Sequence, residues 1–565
     1  MASQVTNVSR PKAVQSTDPI DRSTTRMTQA VATAVPAGVD PRTRTQIVAA
    51  VLLGLFLAAL DQTVVGTALP RIVTDLHGND IYTWAFTAYI LTSTISGPIY
   101  GKLSDLFGRR PILLFAVAVF LIGSLLSGLS QEMWQFVAFR GIQGLGAGAL
   151  FPVALAVIGD MFDASERGKY QGLVGAIFGL SSVIGPAIGG VITDTVGWHW
   201  VFFVNLPLGA IVFAVIWRAL PTFRPSAARP KIDYLGASVL AGALVPLLVG
   251  LTNKQSGNWT DPAVGGLIAL GLAIAAIFVW VESRASEPLV PLGLFRIRSF
   301  TISVIAMFAA SMAFFAPIVF LPRWFQVVGG ASATQSGYQI LALLGGLIIS
   351  AMASGQIVAR TGRYKLLVLG AAVTLGIGLF LLTNLRADTP LPVLWAWMFV
   401  TGLGVGPMFS VFTLVVQGAV ASQQIGTATS SLTLFQQLGG SVGLAIAGTV
   451  FGSRLAEEIP IQLSSAVPPQ VAAGFAGSGS AAISQLSGVG DLGQAILAAA
   501  PVAARAQLEP FVPAIVDAIH RAFSIATAST FTFGIAAAVV AVIVVAFLRE
   551  TPASAAATED DTLAA

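Results

Sequence analysis

Long apolar runs separated by short polar breaks repeat along most of the chain. Each run is long enough to cross a hydrocarbon layer about 30 Å thick as a helix, which takes about 20 residues. The pattern therefore predicts an all-α integral membrane protein with about 14 spans. The runs begin near Ile47, Trp84, Ile112, Trp134, Tyr170, Trp200, Tyr234, Ala263, Phe300, Ser336, Leu366, Leu391, Gly426 and Ala522.

Composition and charge agree with a membrane location. Only 10% of the 565 residues are charged, whereas a soluble domain carries roughly 25%, and the mean hydropathy is +0.82. An even number of spans places both termini on one side, which then holds 22 of the 30 Lys and Arg residues. The positive-inside rule assigns this side to the cytoplasm. We therefore expect a multi-pass protein of the inner (cytoplasmic) membrane with cytoplasmic termini and no nucleic-acid partner.

The residue inventory excludes several kinds of chemistry. The chain has no cysteine, which removes disulfides, thiolate catalysis and cysteine-ligated metals. Its three histidines, His77, His199 and His520, are far apart in sequence, so we expect no metal site and no cofactor. A Walker-type phosphate loop is absent, which argues against an ATP-driven pump. We expect a protein that is not an enzyme.

An internal repeat relates the two halves of the chain. Leu69-Pro70-Arg71 recurs as Leu321-Pro322-Arg323 at an offset of 252 residues, and Gly144-Leu145-Gly146 recurs as Gly402-Leu403-Gly404 at an offset of 258 residues. Two units of six spans with a two-span insert between them explain offsets of this size. Parallel repeats of this kind build two-bundle transporters with a site at the repeat interface.

The repeat and the polar breaks predict the domain organisation. The predicted units are a disordered cytoplasmic tail (1–45), an N-terminal six-helix bundle (46–219), an inserted two-helix linker (220–298), a C-terminal six-helix bundle (299–549) and a second tail (550–565). The second bundle contains a long outer loop over residues 452–521, which could dock an outer partner. Its part from Asp491 to Ala518 either forms helices against the outer rim or stays a flexible loop.

Four sets of residues occur in order along the first half of the chain. They are Leu60-Asp61-Gln62-Thr63-Val64-Val65 in the first run; Gly101, Leu103, Asp105, Gly108, Arg109 and Arg110 between the second and third; Arg140, Gln143, Gly144 and Gly146 in the fourth; and Gly185-Pro186 with Gly189-Gly190 in the fifth. With these residues the chain resembles the major facilitator superfamily, and more narrowly its fourteen-span drug:proton antiporters. The resemblance covers roughly residues 44–551.

Asp61 and Arg140 are the candidates for proton coupling. Asp61 is the sole carboxylate well inside a predicted span, about 21 Å along the helix from Ile47, and an ionisable group at that depth is functional by default. A proton and a cationic substrate could compete for it, or a proton could change which conformation is preferred; otherwise Asp61 is only hydrogen-bonded to neighbouring helices. Arg140 is either the partner of a carboxylate or a brace to backbone carbonyls.

The repeat is asymmetric where charge is concerned. Asp61 corresponds to Ala313 and Arg140 corresponds to Met398, so the ionisable groups belong to the first bundle. The sequence therefore predicts that chemistry resides in the first bundle and that the second supplies mainly an apolar wall.

The matched motifs also imply a gate. The resemblance implies that Asp105 and Arg109 hold one bundle against the other on the cytoplasmic face, whereas Arg110 could serve only to fix orientation in the membrane. The charge cluster that starts at Asp160 is expected to be solvated. Ser181 replaces the glycine usual four positions before Gly185, and it is small enough for close helix approach. The other residues with conformational roles are Gly101, Gly108, Gln143, Gly144, Gly185, Pro186, Gly189 and Gly190.

These expectations combine into a function. We expect a monomeric, proton-coupled multidrug antiporter that exports amphipathic, cationic compounds, with protons and the lipid bilayer as its other partners. Aromatic and thioether side chains can accommodate varied apolar cations. Alternatives are a lipid or glycolipid exporter, a nontransporting membrane sensor, and uptake rather than export. Candidate substrate-binding residues are Phe178, Met312, Phe315, Phe412 and Gln436.

Overall fold

The computed structural model describes most of the predicted membrane-spanning part of the chain. The described residues are 41–76, 84–162, 195–221, 233–254, 257–285, 288–421, 424–468, 492–499, 508–550, and, in between, 170, 173–174, 177, 180–181, 184–185, 188–193 and 505. Both predicted tails lie almost wholly outside these residues, and so does much of the span expected to begin near Tyr170. All regular secondary structure in the described residues is helical.

The helices follow the predicted apolar runs. They are α1 (Pro41–Asp75), α2 (Trp84–Phe107), α3 (Arg109–Gly128), α4 (Met133–Met161), α5 (His199–Phe203), α6 (Asn205–Ala219), α7 (Tyr234–Asn253), α8 (Leu267–Glu282), α9 (Arg298–Val327), α10 (Ala333–Gln339), α11 (Leu341–Thr361), α12 (Lys365–Leu382), α13 (Leu391–Gly418), α14 (Ile425–Ala466), α15 (Leu492–Ala499) and α16 (Val512–Ala546). A π-helical turn at Pro262–Gly266 leads into α8. The all-α membrane fold is confirmed.

The number of fourteen spans stays a prediction. Within the described residues, 12 helical stretches are long and apolar enough to cross a membrane. The 24-residue helix α2 is not among the 12, because its many Ser, Thr and Tyr residues lower its hydropathy. The fifth predicted span falls largely outside the described residues.

Equivalent close approaches between helices show the repeat in three dimensions. A Cβ added to Gly144 in α4 would lie 2.4 Å from the carbonyl oxygen of Tyr89 in α2. A Cβ added to Gly402 in α13 would lie 2.0 Å from the carbonyl oxygen of Leu343 in α11. The two pairs occupy matching positions in the repeat, so the two bundles use the same glycine-mediated helix crossing.

We expect Gly144→Ala to destabilise the protein and Gly141→Ala to leave it unchanged or slightly more stable. The added methyl group at Gly144 would meet Thr92 Oγ1 at 2.2 Å, whereas at Gly141 its nearest neighbour would be Thr92 Cγ2 at 3.7 Å. Overpacking of this kind costs about 1–3 kcal/mol, while alanine is otherwise the better helix former. Thermal unfolding of the two detergent-solubilised variants compares them directly, and equal melting temperatures would contradict the expected close crossing.

The inserted helix α7 packs against the seam between the two bundles, and α8 packs against α7. One apolar cluster joins Leu91 of α2, Leu240 and Leu244 of α7, and Leu434 of α14. At the end of α8, the buried carboxylate of Glu282 accepts hydrogen bonds from the backbone N–H groups of the two residues at 289–290, both at 3.3 Å. The insert is therefore attached to both bundles and to the segment that leads into α9.

The segment predicted as an outer loop is partly helical. Helix α14 has 42 residues, a length of about 63 Å, so it continues well beyond the thickness of a bilayer and past residue 452, where the loop was expected to begin. Its last turns pack against α15 and the start of α16 through an apolar cluster that includes Ile459, Ile496 and Ile519. Residues 469–491 lie outside the described part.

At the other end of the chain, α1 begins at Pro41, so residues 41–45 belong to a helix rather than to the predicted tail.

Candidate functional site

A buried polar cluster lies at the centre of the first bundle. Arg140 Nη1 contacts Asp61 Oδ2 at 2.6 Å, and Gln143 Nε2 donates to Asp61 Oδ1 at 2.8 Å. Arg140 and Gln143 are three residues apart on α4, so both face the same side of that helix. Arg140 Nη1 also donates to Gln143 Oε1 at 2.6 Å. The structure thus brings Asp61 and Arg140 together as an ion pair.

The Asp61–Arg140 pair is inaccessible to solvent. The side chains of Asp61 and Arg140 are both 0% exposed. The ring of Tyr89 covers the guanidinium, with 4.2 Å from Arg140 Cζ to the ring centroid, and Nε and Nη2 of Arg140 have no hydrogen-bond partner among the described residues. Because an isolated buried charge is strongly unfavourable, each member of the pair depends on the other for its charged state.

Two members of the cluster were not predicted from the sequence. Asn205, the first residue of α6, donates from Nδ2 to Asp61 Oδ1 at 2.9 Å and to Ser124 Oγ at 3.0 Å. Both residues are fully buried. One feature of the sequence pointed to Asn205, because its amide side chain lies within an apolar run. An amide in a membrane is costly unless it is hydrogen-bonded.

The second bundle has an apolar counterpart to this cluster. Ala313 in α9 and Met398 in α13, which occupy the repeat positions of Asp61 and Arg140, are both 0% exposed and belong to the apolar core of that bundle. The asymmetry read from the repeat therefore corresponds to a buried ion pair in the first bundle and to apolar side chains at the two matching positions of the second.

Asp105 connects the two bundles. We call the region where α2 ends and α14 begins the gate end. There Asp105 Oδ1 accepts a hydrogen bond from the Gly426 N–H at 3.1 Å, and Oδ2 accepts from the backbone N–H and the hydroxyl of Thr427, each at 2.7 Å. A carboxylate at the N-terminus of a helix satisfies unpaired N–H groups and complements the helix dipole. Gln417 adds a second contact between the bundles, from its Nε2 to the Leu155 carbonyl oxygen at 3.2 Å.

Arg109 pairs with Asp105 and also lies against α14, because a Cβ added to Gly426 would meet Arg109 Nη1. Its Nη1 pairs with Asp105, and its Nε contacts Asp160 Oδ2 at 2.8 Å. The Asp160 side chain is only 2% exposed, so the expectation that this residue is solvated is wrong. The reason is that α4 ends next to the α2–α3 turn, where Arg109 compensates both carboxylates.

The neighbouring motif residues have local roles in packing. A Cβ added to Gly101 would lie 2.2 Å from Ser430 Oγ of α14, so a side chain there would separate the bundles. Gly108 precedes α3 with φ of 92°, a conformation that favours glycine. Arg110 donates to the Trp217 carbonyl oxygen and lies over the Trp217 ring, both within the first bundle. Among the motif residues, Gly101, Asp105 and Arg109 therefore lie at the contacts between the bundles at the gate end.

Comparison with known proteins decides the family of the chain. A profile of the Major Facilitator Superfamily matches residues 51–444. The chain belongs to the major facilitator superfamily. A relative from Bacillus subtilis (strain 168) named "Multidrug transporter protein MdtP" is 39% identical over 412 residues, which cover 73% of this chain and 76% of the relative.

Further comparisons agree with membership of this superfamily. "Multidrug resistance protein 3" from Bacillus subtilis (strain 168) is 36% identical over 405 residues, covering 72% of this chain and 79% of the relative. The crystal structure of the human organic anion transporter MFSD10 matches with a TM-score of 0.55 at 18% identity, covering 73% of this chain and 94% of that one. The latter likeness shows the fold alone. As a superfamily member, the chain is a multi-pass membrane transporter of small molecules.

The fifth-span motif of this superfamily member is seen in part. A Cβ added to Gly185 would lie 2.0 Å from Thr63 Oγ1 of α1, and Thr63 Oγ1 donates to the Ser181 carbonyl oxygen at 3.0 Å. Ser181 is fully buried, so serine at this position permits the close helix approach that the sequence suggested. Gly189 and Gly190 are helical, while Pro186 lies outside the described residues.

The candidate substrate-binding residues have different environments. Phe412 is 0% exposed within the core of the second bundle, so it faces no open space in this conformation. Met312 and Phe315 on α9 are half-buried. Both residues pack closely against α14, because a Cβ added to the glycine of that helix that faces each one would lie less than 3 Å from it. Gln436 is also half-buried. Phe178 lies outside the described residues.

Proposed function

We propose that this superfamily member is a secondary active multidrug exporter, which couples inward movement of protons to outward movement of amphipathic, cationic compounds by alternating access. The single observation that carries the proposal is the Asp61–Arg140 ion pair, an ionisable site fully enclosed within a membrane-spanning bundle. A buried charge pair in a membrane is typical of proton relays in transporters. The relatives named multidrug transporter and multidrug resistance protein support transport of several drugs.

The geometry favours one of the two coupling routes. Asp61 is fully buried, and its oxygens already accept from Arg140, Gln143 and Asn205. A cationic substrate could reach the carboxylate only after these contacts break. We therefore propose that the proton acts by changing which conformation is preferred, rather than by direct competition with substrate at Asp61.

The gate end supplies the second part of the mechanism. Contacts of Asp105 with the N-terminus of α14 join the bundles on the side that the positive-inside rule assigns to the cytoplasm. In the proposed cycle these contacts are made in the outward-facing state and break in the inward-facing state. A monomer located in the cytoplasmic membrane is sufficient for this cycle.

A proton gradient is adequate as the energy source. Inward movement of one proton provides about 2.3 kcal/mol per 100 mV of membrane potential. In one-for-one exchange the outward movement of a monovalent cation cancels this electrical contribution, so the pH difference drives the exchange and supports about tenfold accumulation per pH unit. Hydrolysis of ATP is not required in the proposed cycle.

A flux assay in vesicles tests the proposed function. Purified protein is reconstituted, a pH gradient is imposed, and a panel of amphipathic cations, neutral compounds and lipids is followed. We expect gradient-driven movement of cations out of the compartment equivalent to the cytoplasm. Binding without flux would favour a membrane sensor, movement of lipids alone would favour a lipid exporter, and inward accumulation would indicate uptake; each of these results would contradict the proposal.

We expect Arg140→Leu to disturb the pH dependence of efflux and Met398→Leu to do little. Arg140→Leu removes the positive partner of Asp61, while Met398→Leu is a nearly volume-conserving change in an apolar core. Efflux is measured over a range of pH for both variants and normalised to folded protein. Unchanged profiles in both would contradict the division of roles between bundles, and a low folded yield of Arg140→Leu with normal coupling would indicate a structural brace.

A further inference from the structure

A chain of three hydrogen bonds supports Asp61 on the side away from Arg140. Ser124 Oγ, in α3, donates to the Phe202 carbonyl oxygen at 2.9 Å. Asn205 Nδ2 donates to Ser124 Oγ at 3.0 Å and to Asp61 Oδ1 at 2.9 Å. All four residues are at most 1% exposed, so water does not compete for these bonds.

The chain determines which way the Asn205 amide points. A carbonyl oxygen can only accept, so the single hydroxyl hydrogen of Ser124 is used on Phe202, and Ser124 can offer only a lone pair to Asn205. Asn205 must therefore present its NH₂ group to Ser124, and its other amide hydrogen is directed at Asp61. The orientation of an amide is otherwise ambiguous, but here the chemistry of its neighbours determines it.

This orientation favours one protonation state of Asp61. An N–H donor stabilises an ionised carboxylate and offers nothing to the proton of a carboxylic acid. The charged and titratable groups that face Asp61 in the described residues are Arg140 from α4 and Tyr89 from α2. Arg140 neutralises the carboxylate, whereas Asn205 contributes an uncharged donor whose loss leaves that neutralisation in place.

We propose that Asn205, oriented by Ser124, is a positioning residue that holds and stabilises the ionised carboxylate of Asp61. The inference rests on the proposed proton coupling and adds the element that tunes it. Asn205 contacts Asp61 and not the substrate, so its effect is expected in the pH profile and not in the range of compounds transported.

The test compares pH profiles of efflux in Asn205→Ala, Ser124→Ala and Ser124→Thr. Loss of the donor in Asn205→Ala should move the pH of half-maximal efflux upward by about one unit. Ser124→Ala frees the amide to turn and should give a smaller upward shift. Ser124→Thr keeps the hydroxyl and should restore the wild-type profile. Ser127→Ala is the matched control, because Ser127 is equally buried on the same helix and its hydroxyl has no partner in the described residues.

A second measurement separates this inference from the proposed function. Infrared difference spectra detect the carbonyl band of a protonated carboxyl group, and the band that Asp61→Asn removes belongs to Asp61. Titration of that band reports proton uptake without any transport. If wild-type protein titrates but shows no gradient-driven flux, the proposed function fails while this inference can still be judged.

The outcomes are distinct. Upward shifts of the band midpoint in Asn205→Ala and Ser124→Ala, with none in Ser127→Ala, support the inference. Unchanged or downward midpoints in both variants overturn it, as does an equal shift in Ser127→Ala. If Asn205→Ala does not fold, Ser124→Ala decides the matter, because it removes only one oxygen atom.

Discussion

We expect Asp61→Asn to reduce pH-gradient-driven efflux to the level of protein-free vesicles while the protein remains inserted in the membrane. Asparagine has nearly the same shape as aspartate but cannot take up a proton at this position. It also leaves the fully buried guanidinium of Arg140 without its counter-charge, and removal of one partner of a buried pair costs about 3–5 kcal/mol. Efflux should therefore be normalised to the amount of folded protein measured by size-exclusion chromatography.

Two further variants make this result specific. Asp61→Glu should keep some activity with a shifted pH profile, because it retains a titratable carboxyl group. Asp75→Asn is a control on the same helix, because Asp75 is 35% exposed and forms a surface ion pair with Arg71, and such pairs contribute little. Normal gradient-driven efflux by Asp61→Asn would remove this residue from the mechanism.

The second large effect is expected at the gate end. Asp105→Asn should shift the balance of conformations toward the state in which the gate end is open, by about tenfold or more, since hydrogen bonds to a charged group contribute about 1.5–3 kcal/mol. Asp105 accepts three such bonds from Gly426 and Thr427. Turnover should fall more than equilibrium substrate binding, because the substitution changes a conformational equilibrium rather than a binding contact. Distances between spin labels at the ends of α2 and α14 report the populations.

Two further variants test whether this effect arises from the contacts between the bundles. Arg109→Ala should have a similar direction of effect, because Arg109 pairs with both Asp105 and Asp160. Arg110→Ala should have a smaller effect, since the contacts of Arg110 described above lie within the first bundle. Unchanged distance distributions in Asp105→Asn would show that the gate assignment is wrong.

The sequence by itself determined the class of fold, the order of the helices and the identity of the central charges. A membrane span needs about 20 apolar residues in a row, and this requirement is local, so the beginnings of the helices could be read from the chain. The repeat could be read in the same way, since its glycines mark helix crossings that recur at Gly144 and Gly402. Asp61 and Arg140 were conspicuous because charges are costly inside spans.

Only the tertiary structure decided which side chains meet. In a membrane, lipid and the protein interior are equally apolar, so the pattern along a helix does not reveal the side that faces a neighbouring helix. Asp61 is 79 residues from Arg140 and 144 residues from Asn205, and Asp105 is 322 residues from Thr427. The sequence left open whether Arg140 pairs with a carboxylate or braces the backbone, and it gave Asp160 the wrong environment. These partners depend on how distant helices cross, because a hydrogen bond forms only when crossing angle and rotation bring donor and acceptor within about 3 Å.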